Sequence, residues 1–326
     1  MRIVITGGSG FLGDRLTAEL LARGELGEPI AEIVVVDRVA PRSNDPRVRS
    51  VLGDLDELLA RPAGSDGHPL TGADLVFHLA AVVSSDAERD FDLGMRVNLS
   101  STIGLLDACR AMPVAPRLVF ASSLAVFGAT PRQPLPDVVT DTTLPTPQSS
   151  YGTQKFIGEQ LVADYARRGF VRGRSVRLMT VAVRPGVPNG AASSFLSGII
   201  REPLAGIRSS SPVPASTSVA LSSPARTIEG LITAATATDE EWGPLTAMNL
   251  PSITVTVGEM VDALARVAGE DVAGLVDWTP DPAIAAIVTT WPARFDAARA
   301  RALGLEPDPD FDAIIRGYIA GLQEQQ

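Results

Sequence analysis

At 326 residues, 45% of them hydrophobic and 20% charged, the chain is long enough to bury a sizeable core, as one large domain or as two lobes. Its net charge of −10, with an isoelectric point near 4.8, argues against nucleic acid as the main partner, because phosphate binding needs clustered positive charge. One cysteine and two histidines exclude a disulfide framework and a multi-histidine zinc site, so no metal is expected.

The β-branched run at 2–6 predicts a buried strand, followed by a glycine turn and an amphipathic helix over 11–23. Residues 33–36 predict a second strand ending at Asp37, 48–52 a weaker third, and 75–79 a fourth. Helical periodicity runs over 88–111 and stops at Met112-Pro113. A fifth strand is expected at 117–121, a helix at 151–168 and a sixth strand at 175–183. Strands alternating with helices predict an α/β fold of Rossmann type, a doubly wound parallel sheet covered on both faces. After about residue 186 the composition shifts toward Ser, Pro and Ala, with helices expected near 195–200, 225–237 and 257–268 and a mobile loop at 209–218. The expected division is a dinucleotide-binding domain over 1–185, to which segments near 218–237 return, and a mainly substrate-binding lobe over 186–326. No apolar run approaches the roughly 18 residues of a membrane span, so no membrane partner is expected. The N-terminus runs straight into a strand with no signal-peptide pattern, and a cytoplasmic protein is expected.

Thr6-Gly7-Gly8-Ser9-Gly10-Phe11-Leu12-Gly13 joins the first strand to the first helix. Gly7, Gly10 and Gly13 allow a tight turn, close approach of backbone to a pyrophosphate, and packing of helix on strand; Phe11 and Leu12 lie at the helix N-terminus, whose free N–H groups favour phosphate. Asp37, at the end of the second strand, is placed to bind the ribose hydroxyls of NAD and to repel a 2′-phosphate; the plainer reading is a solvated turn residue. Asp54, with Leu55, is placed either to reach the adenine or simply to cap a turn. Leu79, Ala80 and Ala81 end the fourth strand in small residues against which a cofactor can lie.

Only one of the 28 basic Lys and Arg residues is a lysine, Lys155, in Tyr151-Gly152-Thr153-Gln154-Lys155. Tyrosine and lysine four apart share a helix face. The ammonium favours the phenolate of Tyr151, whose ordinary pKa of about 10 is too high for a base near neutrality. Ser122 and Ser123 end the fifth strand on the edge where the glycine loop lies, and a hydroxyl there can orient a reacting oxygen; serines ending a strand also commonly satisfy backbone groups.

Taken together, the glycine turn, Asp37, Gly53-Asp54, His78-Leu79-Ala80-Ala81, Asn98, Ser122-Ser123-Leu124-Ala125-Val126-Phe127-Gly128 and Tyr151-x-x-x-Lys155 resemble the extended short-chain dehydrogenases/reductases of the NAD-dependent epimerase/dehydratase group. The resemblance covers about the first 185 residues. It implies NAD as cofactor, a catalytic triad of Ser123, Tyr151 and Lys155, Asn98 near the cofactor, and a homodimer formed through the helices at 88–111 and 151–168.

Dehydratases of the group carry an acidic pair after the catalytic serine or threonine, where this chain has Leu124 and Ala125. The stretches 184–195 and 291–296 resemble a subgroup that oxidises the C2 hydroxyl of a four-carbon sugar acid. The implied substrate is a small D-erythronate-like 2-hydroxy acid. Such a substrate needs a partner for its carboxylate, and arginine's planar fork binds carboxylate in a bidentate way. Arg184 is the expected anchor, with Asn189, Ser193 and Ser84 as hydroxyl contacts; the plainer reading of Arg184 is a structural salt bridge. Trp291 and Arg294 are expected to pack the tail against the body. Two rivals stand: a nucleotide-sugar 4-epimerase with tightly held NAD, and a dinucleotide-binding sensor without chemistry.

Overall fold

In chain order the first elements are β1 (Arg2–Thr6), α1 (Phe11–Arg23), β2 (Glu32–Asp37), β3 (Val48–Leu52), α2 (Leu55–Leu59) and β4 (Leu75–His78). Then come α3 (Ser84–Arg89), α4 (Phe91–Gly94), α5 (Ser101–Arg110), β5 (Arg117–Ser123), α6 (Ser150–Arg167) and β6 (Arg172–Leu178). The second half holds β7 (Thr180–Val181), α7 (Ser194–Leu204), β8 (Ser209–Ser211), β9 (Ser218–Ser222), α8 (Pro224–Thr236), β10 (Ala247–Asn249), β11 (Ile253–Thr256) and β12 (Val276–Trp278). This computed structural model describes all residues except 63, 64, 66, 187–190, 244–246 and 324–326.

Seven strands form the central sheet in the order β10-β6-β5-β4-β1-β2-β3, every neighbouring pair parallel. The alternation of side chains along β1 explains why it is covered twice. Ile3 and Ile5 face a cluster with Leu16 and Leu20 of α1 and Leu231 and Ile232 of α8. Val4 faces the other way, into a cluster with Leu105, Leu106 and Cys109 of α5, Phe120 of β5 and Val162 of α6. The strand order reverses between β1 and β4, and their C-terminal ends open the crevice where such sheets bind ligands.

Beyond β6 the chain leaves the main sheet. β7 pairs with β9, and β9 with β11, in a separate three-stranded sheet, while β8 pairs with β12. A third apolar cluster joins Leu196, Ile199 and Ile200 of α7 to Leu221 of β9, to Met260 and Leu264 of the helix Val257–Ala268, and to Ile314 and Ile315 of the helix Phe311–Gln323. α8 returns to the main sheet, packing on α1, β5 and β6, and β10 adds its seventh strand.

Three expectations are corrected. The helix expected over 88–111 is α3, α4, a π-helical turn at Met95–Ser100, and α5. The break falls at Asp90, whose backbone leaves the helical conformation and whose carboxylate caps α4 by accepting from Leu93 N at 2.9 Å. The strand expected over 175–183 is two strands in two sheets, separated at Met179. The loop expected over 209–218 contains β8 and the start of β9. The pairing of Ser209–Ser211 with Val276–Trp278 comes from tertiary context, since serine has little strand preference of its own.

Candidate active site

The glycine turn is built for close approach. Gly7 has φ +69, and a Cβ on it would lie 2.7 Å from the backbone nitrogen of Ala80. A Cβ on Gly13 would lie 2.5 Å from the Gly7 carbonyl oxygen, so α1 can meet β1 only with glycine there. Gly10 caps α1 with an extended backbone and no side chain, and the N–H groups of Phe11, Leu12 and Gly13 have no hydrogen-bond partner among the described residues. Three unpaired donors at the positive end of a helix dipole, beside a turn that tolerates no side chain, fit a dinucleotide pyrophosphate. Gly13→Ala is expected to weaken NAD binding at least tenfold by forcing α1 away from the turn. Isothermal titration checks this, and unchanged affinity would contradict it.

Asp37 lies beside this turn. Its Oδ2 accepts from Ser9 N at 3.0 Å and its Oδ1 from Arg38 N at 2.7 Å, which fixes the carboxylate where β2 ends. Asp54 realises the capping alternative: its carboxylate accepts from Asp56 N at 3.2 Å, and Leu55 begins α2 behind it. Leu79 N donates to Thr6 O at 3.0 Å, which sets Leu79, Ala80 and Ala81 beside the glycine turn. Asn98 sits in the π-helical turn with its amide fully engaged. Its Oδ1 accepts from Val82 N at 2.7 Å, while its Nδ2 donates to Val82 O at 3.0 Å and Gln154 Oε1 at 2.8 Å. Asn98 therefore pins the segment after β4 to α6, and the widened turn aims it there.

α6 brings Tyr151 and Lys155 to the end of β5. Ser149 caps the helix, accepting from Gly152 N at 3.1 Å, and Gly152 abuts the Ala125 carbonyl so closely that no side chain fits. That contact places the first turn of α6, with Tyr151, against the 3-10 turn Leu124–Val126 that follows Ser123. Ser123 Oγ accepts from Ala125 N at 3.1 Å, so the strand-end reading holds in part, yet the hydroxyl also faces the phenol. Burial pushes the Tyr151 phenol above its ordinary pKa, while the Ser123 hydroxyl and the Arg184 guanidinium work in the opposite direction.

The Arg184 guanidinium therefore favours the Tyr151 phenolate, a cation that the i, i+4 spacing did not announce. Lys155 Nζ donates to Ala121 O at 2.8 Å and lies 4.8 Å from the Phe120 ring centroid and 5.8 Å from that of Tyr151. Burial pulls its pKa down to about 8. The slot between the Phe120 ring and the Ala121 carbonyl suits a compact ammonium, not a planar guanidinium. Lys155→Arg is expected to keep the charge and lose most activity, on the order of 10- to 100-fold in kcat through overpacking. Wild-type turnover in that variant would contradict the assignment.

Ser84, Ser123, Tyr151, Arg184 and Ser193 line one cavity of about 60 Å³, together with Val83, Leu124, Ala125, Met179, Thr180, Ala191 and Trp291. Arg184 Nε donates to Val181 O at 3.2 Å, and among the described residues Arg184 makes no ion pair and no hydrogen bond engages its terminal nitrogens. Its backbone is held from both sides: its N–H donates to Ser197 Oγ at 3.0 Å, and its carbonyl accepts from Arg201 Nη1 at 2.8 Å. Ser84 Oγ accepts from Ala192 N at 2.9 Å and still has its own hydrogen to donate. Ser193 precedes α7 without capping it. Asn189 lies outside the described residues. Trp291, expected to pack the tail, forms part of the cavity wall with Leu124, as do Met179 and Thr180, which the sequence did not single out. The departure of the chain from the main sheet at Met179 is what brings Met179, Thr180 and Arg184 to the cavity, and no local pattern announces it.

Residues 3–214 match the model of the NAD dependent epimerase/dehydratase family. D-erythronate dehydrogenase of Cupriavidus necator is 49% identical over 332 residues, covering 99% of each chain. D-erythronate dehydrogenase of Haemophilus influenzae is 42% identical, covering 98% of this chain and 99% of its own. The crystal structure of the nucleoside-diphosphate-sugar epimerase from Agrobacterium tumefaciens is 40% identical, with a TM-score of 0.88 over 98% of this chain and 94% of its own. With this glycine cradle, this sheet order and these relatives, the chain belongs to the NAD-dependent epimerase/dehydratase family.

Proposed function

We propose that the protein is an NAD-dependent dehydrogenase that oxidises the C2 hydroxyl of a small sugar acid, D-erythronate or a close homologue, to the 2-keto acid. The observation that carries this reading is the convergence on one small cavity of Ser123, Tyr151 and Arg184, which has no ion pair among the described residues. Likeness to the two D-erythronate dehydrogenases supports the substrate class.

Each side chain has a chemical task on this reading. Arg184 binds the substrate carboxylate through its terminal nitrogens, and Ser84, Ser193 and Asn189 receive hydroxyls. Ser123 holds the C2 oxygen against the phenol. Tyr151, as phenolate, takes the C2 hydroxyl proton. NAD, when bound, accepts the hydride from C2. Gly7, Gly10, Phe11, Leu12 and Gly13 would hold its pyrophosphate, Asp37 its adenosine ribose, and Lys155 its other ribose. Asp54 and Leu55 would hold its adenine, and Leu79, Ala80 and Ala81 would line the site. Asn98 serves by fixing Val82.

The epimerase name of the Agrobacterium relative raises the second reading. The deciding experiment is NADH formation by purified protein with NAD and a panel of C4 to C6 aldonates. Turnover of UDP-sugars alone, with none on aldonates, would overturn the dehydrogenase reading. Pairing of two copies through α5 and α6 fits the outward-facing Ile103 and Ile157, and sedimentation at twice the monomer mass would support it.

A further inference from the structure

Glu159 is fully buried on α6, one turn beyond Lys155. Its Oε1 accepts from Ser122 Oγ at 2.5 Å and from Arg177 Nε at 2.9 Å, and its Oε2 accepts from Arg177 Nη2 at 2.8 Å. Arg177 is itself buried, 4.8 Å from the Phe127 ring centroid. A buried ion pair is weak evidence of stabilisation, because desolvating both charges offsets most of their attraction. This one joins the three elements around the active site. α6 carries Tyr151 and Lys155, β5 carries Ser122 next to Ser123, and β6 leads into the segment that ends at Arg184.

We propose that Glu159 is a positioning residue of the active site, holding the Lys155 ammonium in its charged form and locking α6 against the ends of β5 and β6. It acts through Lys155 and Ser122 and has no contact with substrate. The groups around Lys155 leave this task to Glu159. His78 faces it from β4 and is neutral, its pKa pushed by burial to about 3. Tyr151 lies on the same helix, and β5 presents only the Ala121 carbonyl and the Phe120 ring. Arg177 on β6 is bound to Glu159. Burial works against the Lys155 charge, and Glu159 is the group that opposes it.

The catalytic consequence rests on the dehydrogenase reading, but the titration that tests the inference does not. Lys155 is the only lysine, so protein grown on lysine carrying ¹³C at Cε gives one side-chain resonance that reports this ammonium alone. Glu159→Gln is expected to lower its titration midpoint by about one pH unit, taking the charged fraction at pH 8 from about a half to about a tenth. NADH formation should then fall about fivefold at pH 8 and less at pH 6.5, a pH dependence that loss of packing alone does not produce. Glu159→Gln/Arg177→Met removes both charges and leaves no orphaned guanidinium, and its midpoint should move the same way by a smaller amount. A folded single or double variant with the wild-type midpoint would overturn the inference. Absence of aldonate turnover in the wild type would overturn the function and leave the titration intact.

Discussion

Tyr151→Phe is expected to lower kcat for NADH formation by about a thousandfold, within the range for loss of a general base, and to leave the aldonate KM within a fewfold. The phenyl ring fills the same place between Ser123 and Arg184, so α6, its cap at Ser149 and the contact of Gly152 with Ala125 are undisturbed. What is lost is the phenolic oxygen, the proposed acceptor of the C2 proton. Ser123 is no substitute, since its ordinary hydroxyl is a far weaker base than a phenolate. NAD affinity should be unchanged, because the cradle at Gly7, Gly10 and Gly13 lies on other elements. Steady-state rates across a pH series check this. A variant with turnover within tenfold of wild type would mean that another group removes the proton.

The sheet and the glycine turn were legible because short-range patterns determine them. The β-branched run at 2–6 and the glycines after it impose a strand, a turn and a helix whatever follows, and α1 covers the residues that the pattern predicts. The substrate side was harder to read. Arg184 was singled out on chemistry, but its neighbours Met179, Thr180 and Trp291 meet in the cavity only because the chain crosses from one sheet to another at Met179. A continuous apolar run looks the same whether one sheet or two receive it. Lys155 shows the other limit of sequence reasoning. Its spacing from Tyr151 was right about the helix face, yet it could not show that the Ala121 carbonyl draws the ammonium or that Arg184, arriving from a distant segment, acts on the phenol. Asp54 shows the same limit on a smaller scale: spacing admitted both an adenine contact and a cap, and only the geometry of α2 displays the cap.

Arg184→Met should be the most costly substitution on the substrate side. Methionine approximates the apolar stem, so the cavity wall persists while the guanidinium goes. Losing one partner of a charge-assisted, desolvated carboxylate pair costs about 2–5 kcal/mol, or roughly 30- to several thousand-fold in kcat/KM, carried mainly by KM. A second effect separates this role from simple packing. The Arg184 cation pulls the Tyr151 pKa down against burial. Without it the folded-state phenol titrates at higher pH, so the acid limb of kcat/KM should move to higher pH. Arg184→Lys restores a cation without the bidentate fork, and should return the limb toward its wild-type position while leaving much of the KM defect. Rates on D-erythronate across a pH series decide among these outcomes. Unchanged KM in both variants would remove Arg184 from the carboxylate site. An unmoved limb in the methionine variant would show that the charge on Tyr151 is set elsewhere.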